Sequence, residues 1–181
     1  NIIYTGRLVE GKNMFQWLEM ARAIHSLRND VQFRIYGDGS LKDRLIRESE
    51  ENGMRDYLFF MGFTADLSMA YRDADLMMFL SEYESFGNAV VESILYGAPV
   101  IAGDIPSVRE IFNEFPQFLV STGPSMKADI LDKIKRIDEL RQVVPEVALQ
   151  FRERFSLNRH ADGLREVYGS LRKDSQTNAQ A

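Results

Sequence analysis

The sequence predicts an α/β fold in which a parallel β-sheet carries helices on both of its faces. Short β-rich apolar runs alternate along the chain with segments whose apolar residues recur at helical spacing. The chain has 181 residues, enough for one domain with a substantial buried core. Glycines and charged residues cluster directly after the predicted strands. Right-handed crossovers would gather these clusters on one edge of the sheet, where open α/β sheets bind ligands.

Six short apolar runs predict the strands of this sheet. In chain order they cover residues 2–5, 31–36, 57–61, 75–80, 99–102 and 118–120. Aromatic residues within these runs or at their ends are expected to lie in the core rather than to bind a ligand, namely Tyr4, Tyr36, Phe59, Phe60 and Phe79.

The segments between these runs carry helical patterns. They cover residues 13–28, 41–52, 64–72, 87–96 and 107–113. From residue 126 onward the pattern is helical again, with breaks expected near Pro145 and Ser156. Gly53 suits the position that follows the second helix. The polar residues 173–181 are expected to form a disordered tail, which leaves residues 1–172 as the predicted domain.

Composition excludes several classes of protein. The net charge of −5 is unfavourable for a general binder of nucleic acid or anionic membranes. The chain has no cysteine, and His25 and His160 lie far apart, so we predict no metal site. The first residue is not methionine and already belongs to a strand-like run, which indicates a piece of a longer protein. A cytoplasmic location is the expectation in the absence of a signal peptide.

The segment around Glu84 and Glu92 carries the strongest chemical signal. An apolar run precedes a polar turn that begins a helix, so Glu84 falls in the loop and Glu92 on the helix. Backbone N–H groups near Gly87 would lie between the two acids and could hold an anion. This arrangement suggests a ligand that carries both hydroxyl groups and phosphate. The alternatives are that Glu84 is a helix-capping acid and that Glu92 is a solvated surface residue.

Two cations follow the first predicted strand. Arg7 and Lys12 would bind a diphosphate through their positive charges, and Gly6 would let the backbone approach the ligand. The alternative is that both are solvated charges, each paired with Glu10.

Two glycine turns follow the next strands. The turn at Gly37 is a candidate phosphate or base loop, although such a turn is more often structural. The main expectation for Gly62 is that it ends a strand, and the secondary one is that it forms part of a base-binding edge.

The combination of these motifs resembles the signature of retaining glycosyltransferases of family 4, which have the GT-B fold. The signature is carried by Glu84 and Glu92, separated by seven residues, and by residues 96–102 after them. Other segments fall in the family's order and are Gly6-Arg7-Leu8 with Lys12, Tyr36-Gly37-Asp38-Gly39, Phe60-Met61-Gly62-Phe63 and the closing segment Phe155-Ser156-Leu157 to Tyr168. The resemblance covers the C-terminal, Rossmann-like half of such an enzyme, which binds the donor. The N-terminal half, which binds the acceptor, is not part of the chain.

The resemblance also implies roles for particular residues. The implied catalytic residues, which contact the diphosphate or the transferred sugar, are Arg7, Lys12 and Glu84. The implied nucleotide-sugar-binding residues are Gly6, Gly37, Met61, Gly62, Phe86, Gly87, Asn88 and Glu92. Among these, Glu92 would hold the ribose hydroxyls, and the edge formed by Met61 and Gly62 would hold the base.

The resemblance further implies the substrate and the partners. No metal or cofactor is implied, and the substrate is a nucleotide diphosphate sugar whose base is uridine, guanosine or adenosine. The implied partners are this donor and the missing N-terminal half, through which any membrane contact would run, and no nucleic acid is expected. The isolated chain is expected to bind nucleotide without catalysing transfer.

Two other classes of protein remain as alternatives at the level of sequence. The chain could be a nucleotide-binding or scaffold module without turnover. A dinucleotide oxidoreductase domain is disfavoured because the Gly-x-Gly-x-x-Gly pattern does not follow the strand that ends at Tyr36. One departure from the common family pattern is Asn13, which stands where glycine is frequent.

Overall fold

The computed structural model describes residues 1–156 and residue 159. In these residues a single sheet has six parallel strands in the order β3-β2-β1-β4-β5-β6. The strands are β1 (Ile2–Thr5), β2 (Phe33–Tyr36), β3 (Leu58–Gly62), β4 (Leu76–Phe79), β5 (Val100–Gly103) and β6 (Leu119–Val120). Every predicted strand overlaps an observed one, and the predicted α/β fold with a parallel sheet is confirmed.

The helices also follow the predicted pattern in order and number along the described chain. They are α1 (Met14–Leu27), α2 (Lys42–Glu51), α3 (Ser68–Arg72), α4 (Asn88–Leu95), α5 (Pro106–Ile111), α6 (Met126–Lys135) and α7 (Ile137–Arg154). A 3-10 turn, Pro116–Phe118, precedes β6. The closing segment after Ser156 and the predicted tail at residues 173–181 lie outside the described residues.

The helices form one layer on each face of the sheet. α1 packs against α2 and α6, whereas α4 packs against α7. Trp17 of α1 is fully buried, and its indole N–H donates a hydrogen bond of 2.9 Å to the carbonyl oxygen of Met78. This bond ties α1 to the centre of the sheet, because Met78 lies in β4.

The break expected at Pro145 is wrong. α7 runs without interruption from Ile137 to Arg154, and the break lies instead at Arg136, which ends α6 and precedes α7. A proline inside a helix costs about 3 kcal/mol, whereas each fully buried large apolar side chain contributes roughly 1.5–3 kcal/mol. α7 buries four such side chains, so packing outweighs the local preference; they are Leu140, Val144, Val147 and Phe151.

The expected burial of Phe59 is also wrong. Tyr4 and Phe79 are buried, and Tyr36 and Phe60 are half-buried, but Phe59 is 37% exposed. Phe59 lies on the same face of β3 as Met61, and β3 is the edge strand of the sheet. The crossover after β3 contains the short α3 of five residues, which leaves this face of the edge strand exposed.

Candidate functional site

The strand order places the candidate site between β1 and β4. From β1 the sheet continues to β2 on one side and to β4 on the other, so the order of strands reverses at this point. The loops that follow β1 and β4 therefore meet at the carboxyl edge, where ligands bind in sheets of this kind. A backbone hydrogen bond of 2.9 Å from the N–H of Glu82 to the carbonyl oxygen of Gly11 joins the two loops.

The loops after β1 and β2 are in direct backbone contact. The N–H of Gly6 donates to the carbonyl oxygen of Tyr36, and the N–H of Leu8 donates to that of Asp38. A Cβ atom on Gly37 would lie 1.8 Å from the carbonyl oxygen of Gly6, a distance that no side chain can occupy. Gly37 is therefore required by the protein's own packing, whether or not a ligand also approaches it.

Lys12 and Glu84 meet where the two loops face each other. The Nζ atom of Lys12 lies 2.5 Å from Oε1 of Glu84, and the two side chains are only 15% and 17% exposed. The buried hydroxyl of Ser81 donates a further hydrogen bond of 3.0 Å to the same carboxylate oxygen. The structure thus brings together two residues that were predicted separately, one after β1 and one after β4.

This pairing contradicts the alternative interpretations of Lys12 and Glu84, whereas the exposed Arg7 remains compatible with a solvated charge. Lys12 pairs with Glu84 and not with Glu10, which lies beside Arg44. Glu84 does not cap a helix, because α4 begins at Asn88 after Gly87. No described carboxylate forms an ion pair with Arg7, whose side chain is exposed at the same edge.

Gly87 sets the direction in which α4 leaves the sheet. Its φ angle of 109° is one that residues with a side chain rarely adopt, and a Cβ atom there would lie 3.3 Å from Cδ1 of Ile111. The N–H of Val90 donates a hydrogen bond of 2.9 Å to the carbonyl oxygen of Gly87, so the N–H groups of Asn88 and Ala89 are the first-turn donors without an acceptor within the helix. Phe86 beside them is exposed and packs edge-on against Phe155, with ring centroids 5.4 Å apart.

Glu92 is exposed but hydrogen-bonded, so it is not merely a solvated surface residue. Its Oε2 atom accepts a hydrogen bond of 2.9 Å from the hydroxyl of Tyr71, which lies 2.9 Å from the hydroxyl of Thr5. Burial is the main cause that raises the pKa of Tyr71 above its usual value, so the phenol keeps its proton near neutral pH. Tyr71 and Thr5 were not among the predicted site residues, because a buried tyrosine and a strand threonine look like core positions in the sequence.

A mostly apolar pocket of about 210 Å³ lies at the same edge, beside Gly6 and Gly37. Its far wall is formed by residues after β3, Phe63, Thr64 and Leu67. Met61 does not line it and is 50% exposed on the outer face of β3. Gly62 ends β3, as expected of a strand terminator.

Within residues 1–156 and 159, no three or more histidine, aspartate or glutamate side chains are grouped as metal ligands would be. None of the helices described here combines the length and the apolar character needed to cross a membrane.

The sequence of this domain matches one family of enzymes. Residues 1–175 match the family model described as "Glycosyl transferases group 1", and the chain belongs to this family. The match extends over nearly all of the chain and supports the resemblance at the level of group 1 glycosyltransferases.

Individual relatives are longer than the chain. The chain is 30% identical over 102 residues to a poly(ribitol-phosphate) alpha-N-acetylglucosaminyltransferase of Staphylococcus aureus (strain COL). The aligned segment covers 56% of the chain and 21% of that protein. The chain is 35% identical over 113 residues to the GtfA subunit of a UDP-N-acetylglucosamine–peptide N-acetylglucosaminyltransferase of Streptococcus gordonii, covering 62% of the chain and 22% of the relative. The matched segments span less than a quarter of the length of these two relatives.

A solved structure shows the same fold. The pneumococcal O-GlcNAc transferase GtfA in complex with UDP and GlcNAc superposes with a TM-score of 0.79 at 24% sequence identity. The superposition covers 92% of the chain and 35% of the GtfA chain. This likeness confirms the architecture of the sheet and its helices.

Proposed function

We propose that the chain is the donor-binding half of a retaining family 4 glycosyltransferase of the GT-B fold and binds a nucleotide diphosphate sugar. The donor-binding domain covers residues 1–172 in this proposal, and the acceptor site belongs to an N-terminal half that the chain does not contain. The observation that carries the proposal is the pairing of Lys12 with Glu84 at the reversal of strand order, beside the first turn of α4. A cation, a carboxylate and a helix N-terminus there suit a ligand that carries both phosphate and hydroxyl groups.

The diphosphate would lie between the loop after β1 and the start of α4. Lys12 has three N–H donors, of which one faces Glu84, so the others remain for phosphate oxygens. The guanidinium of Arg7 supplies a second cation, and the N–H groups near Phe86, Gly87 and Asn88 supply neutral donors. These groups stabilise the negative charge that develops on the departing diphosphate, which is their catalytic role.

Hydroxyl groups of the donor would be held by the two glutamates. Oε1 of Glu84 accepts from Lys12 and Ser81, which leaves Oε2 to accept from the transferred sugar. Oε2 of Glu92 accepts from Tyr71, which leaves Oε1 to accept from the ribose.

The base would lie at the edge formed by the loops after β2 and β3. The apolar pocket beside Gly37 and Phe63, together with the proposed edge at Met61 and Gly62, suits a planar heterocycle. Uracil is the base to test first, since the name of the Streptococcus gordonii relative specifies a UDP-sugar as its donor.

Transfer with retention requires no protein nucleophile in this scheme. The bond between the anomeric carbon and the β-phosphate oxygen breaks as the acceptor oxygen forms a bond on the same face. The acceptor proton passes to the departing phosphate oxygen, so the charges balance within the substrates. Arg7 and Lys12 contribute by stabilising the diphosphate, and no step needs a metal or another cofactor.

Calorimetric titration tests the proposal most directly. The chain should bind UDP, GDP or ADP, and the best of them should bind again with a sugar attached. Glu92→Ala should weaken nucleoside diphosphates with and without the sugar, because the ribose is present in both. Glu84→Ala should weaken only the nucleotide sugar, while Lys133→Ala on α6 is a control that should leave both affinities unchanged.

Two results would overturn parts of this proposal. Absence of binding to all three diphosphates at millimolar concentration would remove the donor site altogether. Equal losses for Glu84→Ala and Glu92→Ala with plain diphosphate would show that the division of roles between sugar and ribose is wrong.

A further inference from the structure

A chain of three hydrogen-bonding groups runs from the sheet to Glu92. The hydroxyls of Thr5 and Tyr71 lie 2.9 Å apart, and the hydroxyl of Tyr71 lies 2.9 Å from Oε2 of Glu92. An ionised carboxylate only accepts, so Tyr71 must donate its single proton to Glu92. The hydroxyl of Tyr71 therefore accepts from Thr5, and the direction of both bonds is determined.

The Tyr71 hydroxyl has little freedom to move. Thr5 and Tyr71 are each only 1% exposed, and the Tyr71 ring stacks on that of Tyr96 with centroids 5.8 Å apart and planes 9° from parallel. The guanidinium of Arg72 covers Tyr96 at 5.5 Å. The donor that faces Glu92 is thus fixed by β1, by α3 and by the residue that ends α4.

Glu92 itself has no such constraint from packing. It is exposed on the second turn of α4, and a glutamate in that position samples several rotamers in water. The bond from Tyr71 selects the rotamers of Glu92 in which Oε2 faces the Tyr71 hydroxyl, and Oε1 keeps its capacity to accept. A ligand that needs Glu92 then does not have to order the side chain on binding.

We propose that Tyr71 is a positioning residue that holds Glu92 for the ribose diol of the nucleotide. This inference rests on the proposed function, in which Glu92 accepts hydroxyl hydrogen bonds from the donor ribose. Tyr71 acts through Glu92 and does not touch the ligand. Its loss should therefore affect ligands that have ribose hydroxyls and spare those that lack them.

The test compares two ligands on five variants of the full 181-residue chain. Calorimetry measures the dissociation constants of the nucleoside diphosphate that binds best and of its 2′,3′-dideoxy analogue. Tyr71→Phe keeps the ring and removes one hydroxyl, and Thr5→Val removes the hydroxyl behind it while retaining the shape. Tyr57→Phe is the matched control. Tyr57 directly precedes β3, at the opposite end of the strands from the carboxyl edge, and its ring stacks on that of His25 in α1.

Tyr71→Phe should weaken the ribonucleotide roughly 3- to 10-fold, as expected for loss of one hydrogen bond, and leave the dideoxy analogue unchanged. Thr5→Val should shift the same ratio in the same direction by a smaller factor. Tyr71→Phe combined with Glu92→Gln should discriminate between the two ligands no worse than Glu92→Gln alone, because both residues act on one group.

Several outcomes would overturn the inference. Equal weakening of both ligands by Tyr71→Phe would indicate a general structural role, and no weakening of either would exclude positioning. Both results leave the proposed donor site intact. If the unmodified chain binds no nucleoside diphosphate, the proposed function fails first and this inference fails with it.

Discussion

Two sides of the carboxyl edge are built in different ways. On the glycine side, formed by the loops after β1 and β2, Gly6 and Gly37 bring two backbones into contact. On the acid side, formed by the loop after β4 and by α4, Glu84 and Glu92 are each held by buried or half-buried partners. The shape of the first side depends on the absence of side chains, whereas the second depends on hydrogen bonds between them. Substitutions on the glycine side should therefore mainly lower the stability of the fold. Substitutions on the acid side should change stability and ligand affinity to different degrees, so that the two effects can be measured separately.

The largest effect is expected on the glycine side. Gly37→Ala places a Cβ atom 1.8 Å from the carbonyl oxygen of Gly6, and no rotamer change can relieve a clash with backbone. We expect a loss of about 3 kcal/mol in the free energy of unfolding, measured by urea denaturation. Gly123→Ala is the control, because nothing lies within 4 Å of its added Cβ atom. Similar stabilities for the two variants would contradict the close approach of the two loops.

An intermediate effect is expected on the acid side. Lys12→Met keeps the length of the side chain and leaves the largely buried Glu84 without its cation. We expect a loss of roughly 1–3 kcal/mol in unfolding free energy, because the carboxylate loses a charged partner in a partly desolvated position. The same variant should also weaken nucleoside diphosphates in calorimetry.

A second substitution separates the two consequences of this change. Adding Glu84→Gln to Lys12→Met should restore part of the stability, because the unpaired charge is removed. It should not restore diphosphate affinity, since the cation is still absent. Stability losses that simply add in the double variant would show that the two residues are not coupled.

The smallest effect concerns Asn13, which precedes α1. Its φ of 56° lies in the left-handed region, which glycine and asparagine tolerate. Asn13→Gly should therefore change the unfolding free energy by only a few tenths of a kcal/mol. Asn13→Val is the informative comparison and should cost about 1–2 kcal/mol, as measured by urea denaturation. Equal stabilities for the glycine and valine variants would contradict the left-handed conformation.

The sequence was sufficient where local patterns decide the structure. The strands were predicted because apolar runs and the glycines after them are local signals, and Gly62 and Gly87 lie at the strand and helix ends where they were expected. Lys12 and Glu84 were both chosen as site residues, but their contact spans 72 positions and depends on β1 and β4 being neighbours.

The failures have tertiary causes. Pro145 remains inside α7 because four buried side chains outweigh its local preference, and Phe59 is exposed because its strand is at the edge of the sheet. Tyr71 was missed for a related reason. A buried tyrosine on a short helix looks like a core residue until the structure places its hydroxyl beside Glu92.

The contact between Gly6 and Gly37 also limits how the site can change during evolution. Since no side chain fits at Gly37, single codon changes there damage the fold before they alter ligand preference. If the pocket binds the base as proposed, variation should instead fall on its opposite wall, where Phe63 and Thr64 follow the end of β3. Relatives that use different nucleotides should accordingly diverge at these two positions and retain the glycine.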